Sequence, residues 1–379
     1  MPTTKEAALA KINHLRCSGS SLYHTSSYVH LAGSEAKANP HPIADNAVVE
    51  AFGVGKCPRL VRLLSDDDVG VLVHTLKCLT GVLNNPRDVV ACLDENHSIL
   101  DPLSKLLYHG NAEIQQLAAA CLHLIASHAN GRAALIAKRT MRKIMKAFAR
   151  TDEVVVQNLL DTALHVSTIL AGAQEMTQNS YVPIILDKLK QEPLSDAVAL
   201  RTLRLLKAFV NDAMSGTVLR IVEAGGVEMV SRFVFSKSKT IQVAALHLIG
   251  AMMYLDRGRE RAMTHGVVKR LCKVLMDKDA SVCIASAGAL MVLTIHDDAK
   301  REFQEGGAIP GLLQLLYRQT FGIQLNVLKL IACIASYPPA RHQLRTPQME
   351  KIMLALTDDD SELLARSAKV ALHAVLWMP

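Results

Sequence analysis

An all-α solenoid of about eight stacked repeats is the fold this sequence predicts, and three observations carry the prediction. The first is a period. Val71, Ile114, Val156, Val198, Ile241, Val282, Ile323 and Leu364 follow one another at 43, 42, 42, 43, 41, 41 and 41 residues, and all are aliphatic. Self-similarity at such a spacing marks repeat architectures, in which each unit buries its apolar face against the next. The second is a matching column eight residues further on: Leu79, Leu122, Leu164, Leu206, Ile249, Leu290, Ile331 and Leu372, again aliphatic throughout. The third is composition. Of 379 residues 50% are hydrophobic but only 4% aromatic, a balance that favours helices over a β sandwich.

Each unit then resolves into elements. Four residues after the first column stand Thr75, Ala118, Leu160, Thr202, Ala245, Ser286, Val327 and Ala368, mostly small or medium. On a helix turning about 100° per residue these columns project within roughly 80°, so one amphipathic helix with one buried stripe is expected per unit. Upstream lies an apolar segment ending in paired aliphatics, as in Leu63-Leu64, Leu106-Leu107 and Leu315-Leu316, which predicts a preceding helix. Pro58, Pro102, Pro183 and Pro310 stand near its first turn, where the missing N–H costs nothing. Gly225-Gly226, Gly266 and Gly306-Gly307 are expected to form the turns that separate units. Asp66-Asp67-Asp68, Asp152-Glu153 and Asp358-Asp359-Asp360 are expected to cap the main helices.

Residues 48–379 therefore read as one solenoid, whose layers at roughly 9 Å each would present a ridge on the order of 70 Å long. Residues 1–47 fall outside the period. Lys5 to Arg16 has the pattern of a short helix. Ser18 to Asn46, rich in Ser, His, Gly, Asn and Pro, reads as an extended N-terminal arm, disordered alone.

Several function classes are argued against. The 42 Lys+Arg against 35 Asp+Glu give +7, spread thinly, so no nucleic-acid partner is expected. Eight cysteines stand singly, without a CxxC pair, and read as reduced core residues of a cytoplasmic protein. The start carries charges where a signal peptide needs an apolar run, and Val282 to Ile295 is too short to span a bilayer, so no membrane association is expected. Phe52-Gly53-Val54-Gly55-Lys56 looks like a phosphate loop, but Glu50 and Cys57 occupy the places of the first glycine and the Ser/Thr. Cys121, His123 and His128 diverge around a helix, which argues against zinc. His296-Asp297-Asp298 falls in a turn where polar residues need no further reason. The chain is read as no enzyme, with no catalytic, metal or cofactor-binding residues and no cofactor.

Two basic surfaces remain as candidate partner-binding sites. Six and nine residues after the first column, opposite the buried stripe, stand Lys77, His123, His165, Arg204, Lys207, His247, Lys329 and His373, and no acid occupies either column. Two residues after the first column come Val73, Leu200, Val243, Ile284 and Leu325, which also project outward. Cations beside apolar side chains suit a partner's acidic or amphipathic segment; equally, these slots are where bends of the solenoid would cover them. The second surface holds Lys138, Arg139, Arg142, Lys143 and Lys146, flanked by Arg132 and Arg150, with no acid from residue 132 to 151. It reads either as a solvated face with cations at helix ends or as a contact for an acidic neighbour.

Short helix, helix, cap, long helix and glycine turn resembles the armadillo repeat over residues 48–379, which implies a right-handed superhelix. Armadillo proteins that clamp extended tails carry asparagines ten residues after the first column. Here that slot holds Gly81, Leu124, Val166, Ala208, Ala251, Val292, Cys333 and Ala374, so import-adaptor function is not implied. From Val243 to Leu316 the sequence is similar to the armadillo subunit of the axonemal radial spoke: Asp279, Val282, Ala285, Ala287-Gly288-Ala289-Leu290-Met291, a polar turn to Lys300, then Ile309 before Leu312-Leu313. Ala51-Phe52-Gly53 before Leu60-Val61 resembles that family's first repeat. The resemblance implies a non-catalytic scaffold in motile cilia or flagella, holding stalk or neck proteins of the spoke. A central-apparatus or dynein-docking armadillo protein, and a soluble adaptor for one peptide, are the alternatives.

Overall fold

The computed structural model describes residues 55–93, 98–211 and 216–378, all within the unit Glu50–Pro379. The expected arm over residues 1–47, Cys17 and the opening Ala51-Phe52-Gly53 lie outside them. Among the described residues there is no strand. Eight long helices recur in step with the aliphatic columns: α1 (Val69–Val82), α2 (Ala112–Ser127), α3 (Glu153–Ser167), α4 (Asp196–Asn211), α5 (Lys239–Met252), α6 (Ala280–Leu293), α7 (Phe321–Ile334) and α8 (Glu362–Leu376). Each packs on the next in order, from α1 on α2 to α7 on α8. The chain is thus an α-solenoid, one long helix per layer.

From the second layer onward two shorter helices precede the long one, as in Asp256–Thr264 and Val267–Leu275 before α6. The columns explain the stacking. All eight residues of the middle column are buried, and of the first column only Val71, in the first described layer, is half-exposed. At two polar middle positions the helix itself supplies the bond. Thr202 Oγ1 donates to Val198 O at 2.7 Å and Ser286 Oγ to Cys283 O at 3.1 Å, so small hydroxyls replace aliphatics without an orphaned group. Each fully buried aliphatic contributes about 1.5–3 kcal/mol, and the core they form is continuous through the layers.

The caps follow the expectation in part. Asp68 accepts from Gly70 N and Val71 N, Asp152 from Val155 N and Asp279 from Ser281 N and Val282 N, each satisfying free N–H groups of the first turn. Asp358 to Asp360 do not cap α8. Its N-cap is Ser361, whose side chain makes no cap bond, and Asp359 accepts instead from Ser361 N, an Asx turn one step early. The glycine turns are also placed differently. Gly225, Gly266 and Gly307, at φ of 85°, 61° and 67°, join the first helix to the second inside a layer rather than separating layers. Arg139 and Ser180 hold the same corner at φ of 50° and 64°.

Candidate protein-binding surface

Rotation around the long helix sorts the predicted surface residues. On a 3.6-residue turn, positions two and nine after the first column lie about 20° apart, whereas position six lies about 40–60° from them. The next layer's long helix covers the first line and leaves the second more open, except at Thr162, which is buried. Accordingly the ninth positions, including His123, His165 and Lys207, are half-buried in every layer until the exposed His373 on α8. The sixth positions Lys77, Arg204 and His247 are exposed, Lys329 half-buried.

The apolar second positions do not project outward as expected. Val73 is buried, and Leu200, Val243, Ile284 and Leu325 pack against the core, because they form the seam to the following layer. At one such seam Asn326 Nδ2 donates to Ile284 O at 2.9 Å, and a Cβ on Gly322 would stand 2.7 Å from the Ile284 side chain.

The N-terminal half of this surface is internally neutralised. Lys77 pairs with Glu113 of α2 at 2.9 Å. The rings of His123 and His165 lie 5.3 Å apart and tilted by 33°, beside an Arg201–Asp161 ion pair at 2.9 Å. Burial pushes His123 below the usual histidine range against the opposing pull of Asp161, and His123 Nδ1 is buried without a partner. Burial likewise lowers His165, with His123 adding to it.

From α4 to α7 the surface differs. Two adjoining hollows of about 380 and 230 Å³ share Lys207 and His247 as common wall. Their lining mixes small residues, Ala244, Gly250, Ala251 and Gly288, with the larger Leu200, Val243, Ile284 and Met291 and one carboxylate, Asp279. Gly250 lies so near α6 that a Cβ there would touch Ala289 at about 3.5 Å. Beside these hollows Arg204 and Lys207 carry no ion pair with any described residue, and partial burial together with Lys207 lowers His247. Lys239, also on the rim, is held by Asp277 at 2.7 Å. Tyr254 closes one edge, 71% exposed. Lys239, Tyr254 and Asn326 were not visible as surface-formers in the columns, since the signal that marks them is contact across layers.

The second basic group stands on other elements: the end of Ala129–Ala137, the helix Thr140–Ile144 and the 3₁₀ turn Met145–Ala149. Lys138, Arg139, Arg142, Lys143 and Lys146 are exposed there. Acids absent from its own sequence come from neighbouring layers. Lys143 reaches Asp101 at 2.5 Å, and Arg139 and Arg142 line a hollow with Glu175. Both Glu175 oxygens are buried and unpartnered; burial raises its pKa while Arg139 opposes the shift. Arg132 donates to Ala126 O and Ser127 O, and Arg150 donates to Gln115 Oε1 at 3.1 Å and lies over Tyr108. These two flanking arginines serve the stack.

The other motifs weighed in the sequence find structural places. Lys56 pairs with Asp88 at 2.7 Å, Cys121 is buried, and His128 Nε2 bonds Leu83 O at 3.0 Å. His296 stands at the N-cap position of the helix Asp297–Glu305 without a side-chain cap bond, and Asp297 and Asp298, expected in a turn, open that helix and pair with Lys300 and Arg301. Among the described residues no cluster of three His, Cys, Asp or Glu suits a metal, and no helix is long and apolar enough to cross a membrane.

The fold defines a helical repeat protein, an α-solenoid of sequentially packed layers. No family model matches the sequence, and no curated protein matches it. Among solved structures, an engineered protein of the Northeast Structural Genomics Consortium is similar over 99% of this chain and 99% of its own, with 19% identity and a TM-score of 0.61. A second engineered protein of that consortium matches 73% of this chain and 98% of its own, at 18% identity and a TM-score of 0.53. At those identities the likeness is one of fold.

Proposed function

We infer that this chain is a non-catalytic protein–protein scaffold of the armadillo type, serving as a structural component of the radial spoke in motile cilia or flagella. The observation that supports scaffolding is the face from α4 to α7, where Arg204 and Lys207, without an ion pair among the described residues, stand beside two shallow hollows of mixed small and apolar lining. Such a face recognises charge and close backbone approach, the chemistry of a protein partner. The spoke reading rests on the sequence likeness from Val243 to Leu316, a stretch that runs from α5 through α6 to the helix before α7. Its partners in that reading are stalk or neck subunits presenting acidic or amphipathic segments. A soluble adaptor for one such segment is the second reading, favoured by Arg204 and Lys207, which stand together on α4 beside one hollow.

Demembranated axonemes test both. A tagged copy should remain with the axoneme through a mild salt wash and localise along the cilium. Recovery in the soluble fraction alone excludes the spoke and leaves the adaptor.

A further inference from the structure

We propose that Cys57 and Cys92 form an oxidation site, closing into a disulfide that fastens the helix Lys56–Leu63 to the helix Pro86–Cys92 across the first described layer. The inference concerns the chain's own thiols and does not depend on which partner the scaffold holds.

Geometry singles out this pair. Among the described cysteines, only these two are joined by a hydrogen bond between thiols. The Cys92 thiol donates to Cys57, and Cys57 Sγ donates in turn to Asp88 O at 3.7 Å, one helical turn before Cys92. Both side chains are buried, and their two helices pack directly on each other. Thiols in hydrogen-bond contact bring their Cβ atoms near the separation a disulfide requires. Cys121, the third thiol near Cys92, donates instead to Leu76 O at 3.9 Å.

A cation stands beside the pair. Lys56 holds Asp88 at 2.7 Å, and that hydrogen bond raises its pKa, with the charge of Cys57 and Cys92 adding to the rise. The effect is mutual, so the ammonium favours a thiolate, the form that reacts. Burial, with the bond to Cys57 behind it, pushes Cys92 well above the ordinary thiol range, which makes it the second sulfur to react.

With a hydroperoxide as oxidant the chemistry balances. The Cys57 thiolate attacks one peroxide oxygen, the O–O bond breaks, and the displaced alkoxide takes up the Cys57 proton, leaving a sulfenic acid. The Cys92 sulfur then attacks the sulfenic sulfur, the S–S bond forms, and hydroxide leaves with the Cys92 proton as water. Two thiols and one hydroperoxide become one disulfide, one alcohol and one water. Because both sulfurs are buried, the oxidant reaches them through local opening of the layer, and closure is slow. The loop from Cys57 to Cys92 contains the whole of α1, so the bond ties two short helices around the long one and restrains that opening.

Treating the full chain with hydrogen peroxide under native conditions and digesting it without reductant tests this. Mass spectrometry should recover the Cys57 and Cys92 peptides linked, and dithiothreitol should separate them. Hydrogen exchange across Lys56–Leu63 should slow roughly fivefold or more in the oxidised chain, while exchange in α8 stays as it was. Cys92→Ser should abolish both effects, and Cys121→Ser should leave both. Mapping on the unaltered chain needs no variant and keeps the test open should Cys92→Ser misfold. The proposal is overturned by absence of the linked pair, by a disulfide through Cys17, Cys78 or Cys121 in its place, by linkage that forms only in denaturant, or by exchange that does not slow on linkage.

Discussion

Ser180 and Arg139 hold the left-handed corner that Gly225, Gly266 and Gly307 hold in later layers. A side chain in that region carries strain of about 1–2 kcal/mol, partly offset by the greater freedom glycine has in the unfolded chain. Ser180→Gly is therefore expected to stabilise by about 0.5–1 kcal/mol, read as a higher denaturant midpoint at constant slope. The histidine pair makes a second prediction. His123 and His165 have folded pKa values below the ordinary 6.5, so the unfolded chain takes up protons more readily. Their contribution is complete above about pH 6.5 and falls as acid is added below it. The midpoint should drop between pH 7.5 and 5.5, and the drop should shrink in His123→Gln/His165→Gln, with His247 supplying a residue of the same sign. An equal drop in the double variant would assign the dependence elsewhere.

At the scale of the element, the first short helix of a layer crosses the end of the preceding long one. Gly131, Gly172 and Gly258 occupy that crossing, and a Cβ on Gly131 would collide with the backbone carbonyl of Ile125. Gly131→Ala should cost about 1–3 kcal/mol by thermal or chemical melting, although alanine is the better helix former. Ala299 and Ala340 take the same place in later layers, fully buried, so the crossing tolerates a methyl only where the helices part slightly. This explains what was legible in sequence. Column residues such as Leu160 and Ile249 announce their helices because a buried stripe has a period. Gly131 does not announce its crossing, because close approach depends on two helices at once. The Asp358–Asp360 run misled for a related reason: capping needs an oxygen at one position, and composition specifies only a neighbourhood. The seam residues Val243 and Ile284 misled because a single helix cannot tell solvent from its neighbour.

At the scale of the whole molecule, stability divides among nearest neighbours. Contacts between layers recur at separations near one repeat, as in Tyr181 Oη to Met141 O at 2.5 Å and Arg318 Nη1 to Asp277 O at 2.7 Å. Among the described residues the main packing partners of each element lie in its own or an adjacent layer, so coupling along the stack passes through each seam in turn. A charge buried in the middle, Leu203→Asp in α4, should resolve calorimetric unfolding into two transitions rather than lower one. A single sharp transition at reduced temperature would show cooperativity beyond adjacent layers.

The seams that half-cover the second and ninth positions leave the long helices little to show outward. Along the long helices what faces outward comes down to Lys77, Ala120, Arg204, His247, Gly288, Lys329 and Val370, while the third layer's slot, Thr162, is buried. Recognition is thereby reduced to a short string of letters, spelled once per forty-odd amino acids, and any single letter can be rewritten while the grammar of the stack stays untouched.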